Sequence, residues 1–120
     1  MPKILVVDDS ATVRNEVSNF LQAQSIEVTT AIDGKDGLDK LRTDSEIALV
    51  ISDVNMPNLD GLSMVERMRN ELRHRAPVIM LTTESDPKMK ERGKAAGVKG
   101  WIVKPFNGPA VLPGLKRLLA

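Results

Sequence analysis

Cysteine is absent from the 120 residues, so disulfides and thiolate metal sites are excluded. That absence suits a reducing compartment. Histidine occurs once, at His74, and one imidazole cannot build a multi-histidine metal centre. Charge of one sign is not in excess. The formal net charge of +1 gives no global attraction to nucleic acid or to a membrane. No apolar run approaches the length of a membrane span. The opening residues, Met1-Pro2-Lys3-Ile4, lack the apolar core and small-residue cleavage site of a signal peptide. A cytoplasmic location is therefore expected. Neither common glycine-rich phosphate cradle occurs, since the chain contains no G-x-G-x-x-G and no G-x-x-x-x-G-K-S/T. There is no internal repeat and no low-complexity tract.

What remains is an ordinary globular composition, 42% hydrophobic and 28% charged. The length suffices for one domain, residues 1–120, with a sizeable core. The apolar run Ile4-Leu5-Val6-Val7 reads as a strand covered on both faces and ends in Asp8-Asp9-Ser10. Ser10 has the chemistry of a helix cap, and Val13, Val17, Phe20 and Leu21 follow at helical spacing over 11–24. Ile26 to Ile32 reads as a second strand and Asp33-Gly34 as a turn. Residues 35–43 read as a short helix, weakened by Gly37 by roughly 1 kcal/mol relative to Ala.

Ile47 to Ser52 is the third strand. It ends abruptly at Asp53 and is followed by the turn Pro57-Asn58-Leu59-Asp60-Gly61. A helix with Leu62, Val65, Met68 and Leu72 inward comes next. Val78 to Leu81 is the fourth strand, ending in Thr82-Thr83-Glu84. Residues 87–96 form a polar helix that Gly97 stops. Gly100 to Val103 is the fifth strand, ending in Lys104-Pro105-Phe106. Leu112, Leu115, Leu118 and Leu119 mark a last helix. Pro109 suits a helix start, but Pro113 in a helix interior costs roughly 3 kcal/mol. The last helix is therefore expected to begin late or to have a distorted first turn.

Strands alternating with helices through short connections require a parallel sheet with helices on both faces. Right-handed crossovers narrow this to a doubly wound α/β sheet of five strands, order 2-1-3-4-5, the flavodoxin-like (βα)5 fold. Ligands of such sheets bind outside the carboxyl ends of the strands. Those ends carry Asp8-Asp9, Asp53, Thr82-Thr83 and Lys104. Three carboxylates in one cleft repel unless a cation sits among them, and Mg2+ suits one or two carboxylates plus phosphate oxygens. Lys104 can hold a phosphate oxygen and Thr82 can donate to another. A nucleophilic Asp with a metal, a Lys and a Thr is a phosphoryl-transfer constellation. Singly, each residue reads better as a turn former, a cap or a solvated lysine. Jointly, four strand ends each supply a group suited to one reaction.

These residues carry a resemblance to the response-regulator receiver domains over essentially the whole chain. Leu5-Val6-Val7-Asp8-Asp9-Ser10 is similar to the family's acidic first loop. Ser52-Asp53-Val54-Asn55-Met56-Pro57-Asn58-Leu59-Asp60-Gly61 is similar to its phosphoacceptor strand and turn. Pro77 to Thr83 and Lys104-Pro105-Phe106 resemble its fourth strand and lysine motif. Within the family, the chain is most similar to stand-alone chemotaxis regulators of the CheY type.

The resemblance implies that Asp53 accepts a phosphoryl group from a histidine kinase phosphohistidine. Asp9, Asp53 and the backbone carbonyl of Asn55 would hold Mg2+, with Asp8 ligating through water. Lys104 would contact the acyl phosphate, across a cis Lys104-Pro105 bond. Thr82 would swing towards the phosphoryl oxygen and draw the aromatic of the fifth strand inward. Asn55 and Glu84 fall at positions that tune phosphate lifetime, and the pair resembles regulators with quick turnover. Trp101 stands where the family usually has Tyr or Phe, and a surface-packed indole is the competing reading.

On this reading the chain is a signalling switch, not an enzyme acting on a separate substrate. It catalyses only its own phosphorylation and dephosphorylation. No output domain is seen, so the signal is expected to leave by contact with a flagellar motor switch component, with a phosphatase as a further partner. A generic phosphorelay or adaptor receiver outside chemotaxis stays open. An aspartyl-phosphate phosphatase is disfavoured, because Asn55 stands where a general-acid Asp is needed. A flavin carrier is disfavoured because Asp8-Asp9 would repel its phosphate. The basic run Lys88, Lys90, Arg92, Lys94 and Lys99 reads as a solvated face ahead of a docking surface. His74 is expected to be exposed and inert.

Overall fold

The computed structural model describes residues 3–120; Met1 and Pro2, which the sequence reading counts within the domain, lie outside the described residues. Ten elements alternate: β1 (Lys3–Val7), α1 (Ala11–Ala23), β2 (Glu27–Ala31), α2 (Gly34–Thr43), β3 (Ile47–Ser52), α3 (Gly61–Asn70), β4 (Val78–Thr82), α4 (Pro87–Ala95), β5 (Val98–Val103) and α5 (Gly108–Leu119). The strands form one parallel sheet in the order β2-β1-β3-β4-β5. The order expected from the sequence is the one observed.

Each helix starts on a residue that can accept from its own first turn. The side chains of Ser10, Asp33, Asp60, Asp86 and Asn107 cap α1 to α5 in that order. Strand alternation then splits the core into two layers. Leu5, Val7, Val50 and Met80 face α2 and α3, where they meet Leu38, Leu41, Leu62, Met64, Val65 and Met68. Ile4, Val6, Leu49, Ile51, Ile79 and Leu81 face α1 and α5, where they meet Val17, Leu21 and Leu115. Phe20 of α1 packs edge-on against Phe106, with ring centroids 5.7 Å apart.

Several boundaries differ from the sequence expectation. The second strand stops at Ala31, and Ile32 is left 55% exposed. Asp33-Gly34 is not a free turn: Asp33 is the cap of α2 and Gly34 its first residue. The fifth strand starts at Val98, two places early, because pairing with Val78 begins there. The last helix does not begin late. It starts at Gly108 with Pro109 in its first turn and runs through Pro113. Pro113 is exposed while Leu115 is fully buried. The apolar face of α5 packs on the sheet, and that burial offsets the missing hydrogen bond.

His74 also departs from expectation. It is half-buried, its Nδ1 accepts the Ala76 amide at 3.2 Å, and its carbonyl accepts Arg69 Nη1 at 3.0 Å. Arg92 is no solvated lysine-like charge. It makes a bidentate pair with Glu66 and donates to Ser63 Oγ, tying α4 to α3.

Candidate functional site

Parallel pairing brings the ends of β1, β3, β4 and β5 to one edge of the sheet. The Asp53 amide donates to the Val7 carbonyl at 2.9 Å, and the Asp8 amide donates to the Ala31 carbonyl at 3.1 Å. The strand ladder therefore continues one residue past β1 and β3 and sets both carboxylates side by side. Asp8, Asp9 and Asp53 each present an oxygen within 4.8 Å of the others. Asp8 and Asp53 are buried, 2% and 7% exposed, and Asp9 is exposed.

Lys104 reaches this group from the end of β5. Its Nζ donates to Asp53 Oδ2 at 2.9 Å and lies 3.0 Å from Asp8 Oδ2. The second contact is an ion pair without hydrogen-bond geometry, and among the described residues Asp8 Oδ2 is buried with no hydrogen-bond partner. The other Asp8 oxygen accepts the Ser10 amide at 2.9 Å. Burial pushes the Asp8 carboxyl up from its ordinary range, against the Ser10 amide and Lys104, which pull it down, and with the Asp53 charge adding to the rise. Burial also acts to lower Lys104, but its hydrogen bond to Asp53, its close contact with Asp8 and the charges of both outweigh it, so Lys104 is held above its usual value.

One ammonium thus pairs with two of the three clustered carboxylates. All donors in the cluster are hard oxygens, which fits a cation such as Mg2+ and not a soft metal. Asp53 is restrained as well. Asp53 Oδ1 accepts the Val54 amide at 2.7 Å, and the Asp53 carbonyl accepts Ser52 Oγ at 2.8 Å. A Cβ on Gly61 would fall 1.9 Å from that carbonyl, so the turn back over Asp53 closes only with glycine.

A second layer surrounds the carboxylates. Thr82 is fully buried, and its Oγ1 accepts the Glu84 amide at 3.1 Å. Asn55 Nδ2 donates to Glu84 Oε1 at 3.3 Å, bridging the loops after β3 and β4. Trp101 is half-buried and its Nε1 donates to the Glu84 carbonyl at 2.8 Å. The indole lies over Gly93 of α4, where a Cβ would approach it to 3.1 Å. The Lys104-Pro105 bond is cis, as the resemblance implied.

Some contributors were not legible in the sequence. Arg14 donates to the Asp8 carbonyl at 2.7 Å. Asn58, in the left-handed region at φ 67°, donates to Asp33 Oδ2 at 2.7 Å and so pins the loop after β3 to α2. The only advance signals were that Arg14 sits four residues after the cap Ser10 and that Asn tolerates that backbone. At the opposite edge of the sheet, a cleft of about 410 Å3 is lined by Glu66, Arg69, Asn70, Arg75 and Gly97. Arg69 is already engaged there by the carbonyls of His74, Ala76 and Ala96.

The response regulator receiver domain family matches residues 4–114. This chain belongs to that family. The receiver is 39% identical over 112 residues to the Helicobacter pylori chemotaxis protein CheY1, covering 92% of this chain and 90% of that one. It is 38% identical to a Campylobacter jejuni chemotaxis protein CheY homolog, covering 92% of this chain and 85% of that one. The crystal structure of Vibrio cholerae chemotaxis protein CheY4 at pH 4.0 superposes with a TM-score of 0.89 at 44% identity, over 98% of each chain. The chain is thus a CheY-type receiver with chemotaxis relatives, and it carries the flavodoxin-like fold of those neighbours. Among the described residues, no helix is long and apolar enough to cross a membrane.

Proposed function

We propose that this receiver is a phosphorylation-activated switch of a two-component system that acts in chemotaxis. The observation that carries the reading is Lys104 Nζ set between Asp53 Oδ2 at 2.9 Å and Asp8 Oδ2 at 3.0 Å, beside the clustered carboxylates. Asp53 Oδ2 attacks the phosphorus of a histidine kinase phosphohistidine. The new O–P bond forms as the P–N bond breaks, and the imidazole leaves with a proton. Lys104 shifts its hydrogen bond from the Asp53 carboxylate to a phosphoryl oxygen.

Asp9, Asp53 and the Asn55 carbonyl would hold Mg2+ directly and Asp8 through water. The ion supplies charge neutralisation at the phosphoryl oxygens. Thr82 turns its hydroxyl from the Glu84 amide to the phosphoryl group. That amide then loses its acceptor, the loop carrying Glu84 shifts, and with it the carbonyl that holds Trp101. The phosphoryl group therefore biases a two-state element, and the output is a change of affinity for a partner. Asn55 and Glu84 close over the site and tune how fast water or a phosphatase removes the phosphate.

The chain catalyses only its own phosphorylation and dephosphorylation. It acts in the cytoplasm between a histidine kinase and a flagellar motor switch component. The test is incubation with Mg2+ and a small acyl-phosphate donor, followed by intact mass. One hydroxylamine-labile phosphate is expected, lost without Mg2+ and lost in Asp53→Asn. An unmodified wild-type mass would overturn the reading.

A further inference from the structure

The Asp8 residue is held at three points, one from β2 and two from α1 and its cap. Its amide donates to Ala31 of β2, its Oδ1 accepts the Ser10 amide, and its carbonyl accepts Arg14 Nη1 of α1. The carbonyl bond, at 2.7 Å, is charge-assisted and short. It matters beyond Asp8, because the Asp8 carbonyl and the Asp9 amide share one rigid plane. Fixing the carbonyl direction fixes where the backbone sends Asp9.

Asp9 needs that support. It is exposed, and no hydrogen bond among the described residues restrains its carboxylate. Like charges on Asp8 and Asp53, with oxygens within 4.8 Å, push it outward. Arg14 does not neutralise this repulsion directly. Among the described residues, the ion pairs of the cluster are those of Lys104 with Asp8 and Asp53, and the guanidinium of Arg14 is turned to a backbone carbonyl instead.

We infer that Arg14 is a positioning residue for the metal site. It locks the Asp8–Asp9 peptide so that the Asp9 carboxylate faces Asp53 and Asp8 before a cation arrives. This rests on reading the acidic cluster as a Mg2+ site. Residues behind metal ligands typically change affinity 10- to 100-fold. A single bond to a carbonyl is at the lower end, so Arg14→Gln is expected to weaken Mg2+ about tenfold. Lys can make the same single charged bond, so Arg14→Lys is expected to stay within about threefold of wild type.

The experiment is isothermal titration of wild type, Arg14→Gln and Arg14→Lys with Mg2+ alone, at fixed pH and salt, with unfolding midpoints measured on the metal-free proteins. Weakened Mg2+ binding in Arg14→Gln with rescue by Arg14→Lys supports the inference. Mg2+ binding in Arg14→Gln within twofold of wild type overturns it, whatever happens to the unfolding midpoint. Absence of Mg2+ binding by the wild type overturns the metal reading itself and this inference with it.

Discussion

Helices α3 and α4 are neighbours on the same face of the sheet, yet they are held in different ways. Gly61, Leu62, Met64, Val65 and Met68 of α3 are buried, whereas Gly93 is the one buried residue of α4. Burying four large apolar side chains is worth of order 10 kcal/mol gross, and nothing comparable anchors α4. That helix is instead held by polar links, the Arg92 pair to Glu66 and the Trp101 bond to the Glu84 carbonyl just before its cap. The contrast follows the chemistry. Asp60 and Gly61 close the turn behind Asp53, and α3 is locked there by packing. The loop into α4 carries Glu84, which under the proposed function responds to the phosphoryl group, and its ties are directional bonds that exchange at low cost.

The largest expected effects test that difference directly. Met68→Ala should cost about 2–5 kcal/mol in guanidinium unfolding, by cavity formation. The half-buried Met89→Ala on α4 should cost about 1 kcal/mol or less. Comparable losses at both positions would refute the contrast. A smaller effect is expected at Asp8. Its ionisation is opposed by burial, and its Oδ2 has no hydrogen-bond partner among the described residues. Asp8→Asn should therefore stabilise the metal-free protein by about 1 kcal/mol, while abolishing stabilisation by added Mg2+ in the same thermal melts.

Gly93→Ala sharpens the comparison from the weak side. Ala favours helix by about 1 kcal/mol, but its Cβ would sit 3.1 Å from the Trp101 ring. A near-zero change in stability with a red-shifted Trp101 emission is expected, since the indole is displaced towards water. Unchanged emission would mean that the ring is not seated on α4.

The smallest effect concerns pH. Burial first, and then the Arg69 charge, hold His74 below its ordinary value. The unfolded chain therefore takes up a proton that the folded chain resists. Stability is full above about pH 6.5 and declines as pH falls through that value towards the folded pKa. His74→Asn should flatten this part of the stability–pH curve, measured by urea unfolding between pH 5 and 8. An unaltered slope would contradict the burial of the ring.

Much of this arrangement is decided by local sequence. Apolar runs at the first, third and fourth strands, each followed by Asp or Thr, and two less apolar strands, all separated by capped amphipathic segments, leave the parallel doubly wound sheet as the architecture that buries the runs. Sheet order then brings Asp8, Asp53, Thr82 and Lys104 to one edge, so the membership of the candidate site could be read from residue types at strand ends. What could not be read is which groups meet. The Arg14 bond to the Asp8 carbonyl, the Asn58 bond to Asp33 and the seating of Trp101 on Gly93 join residues whose spacing carries no periodic signal. Pro113 shows the same limit, because its local preference against helix was overridden by the burial of Leu115. Backbone periodicity and capping act within a few residues and are written in order along the chain. The geometry of the site depends on contacts between side chains and backbone that become neighbours only after the sheet has formed, and only the tertiary structure decides those.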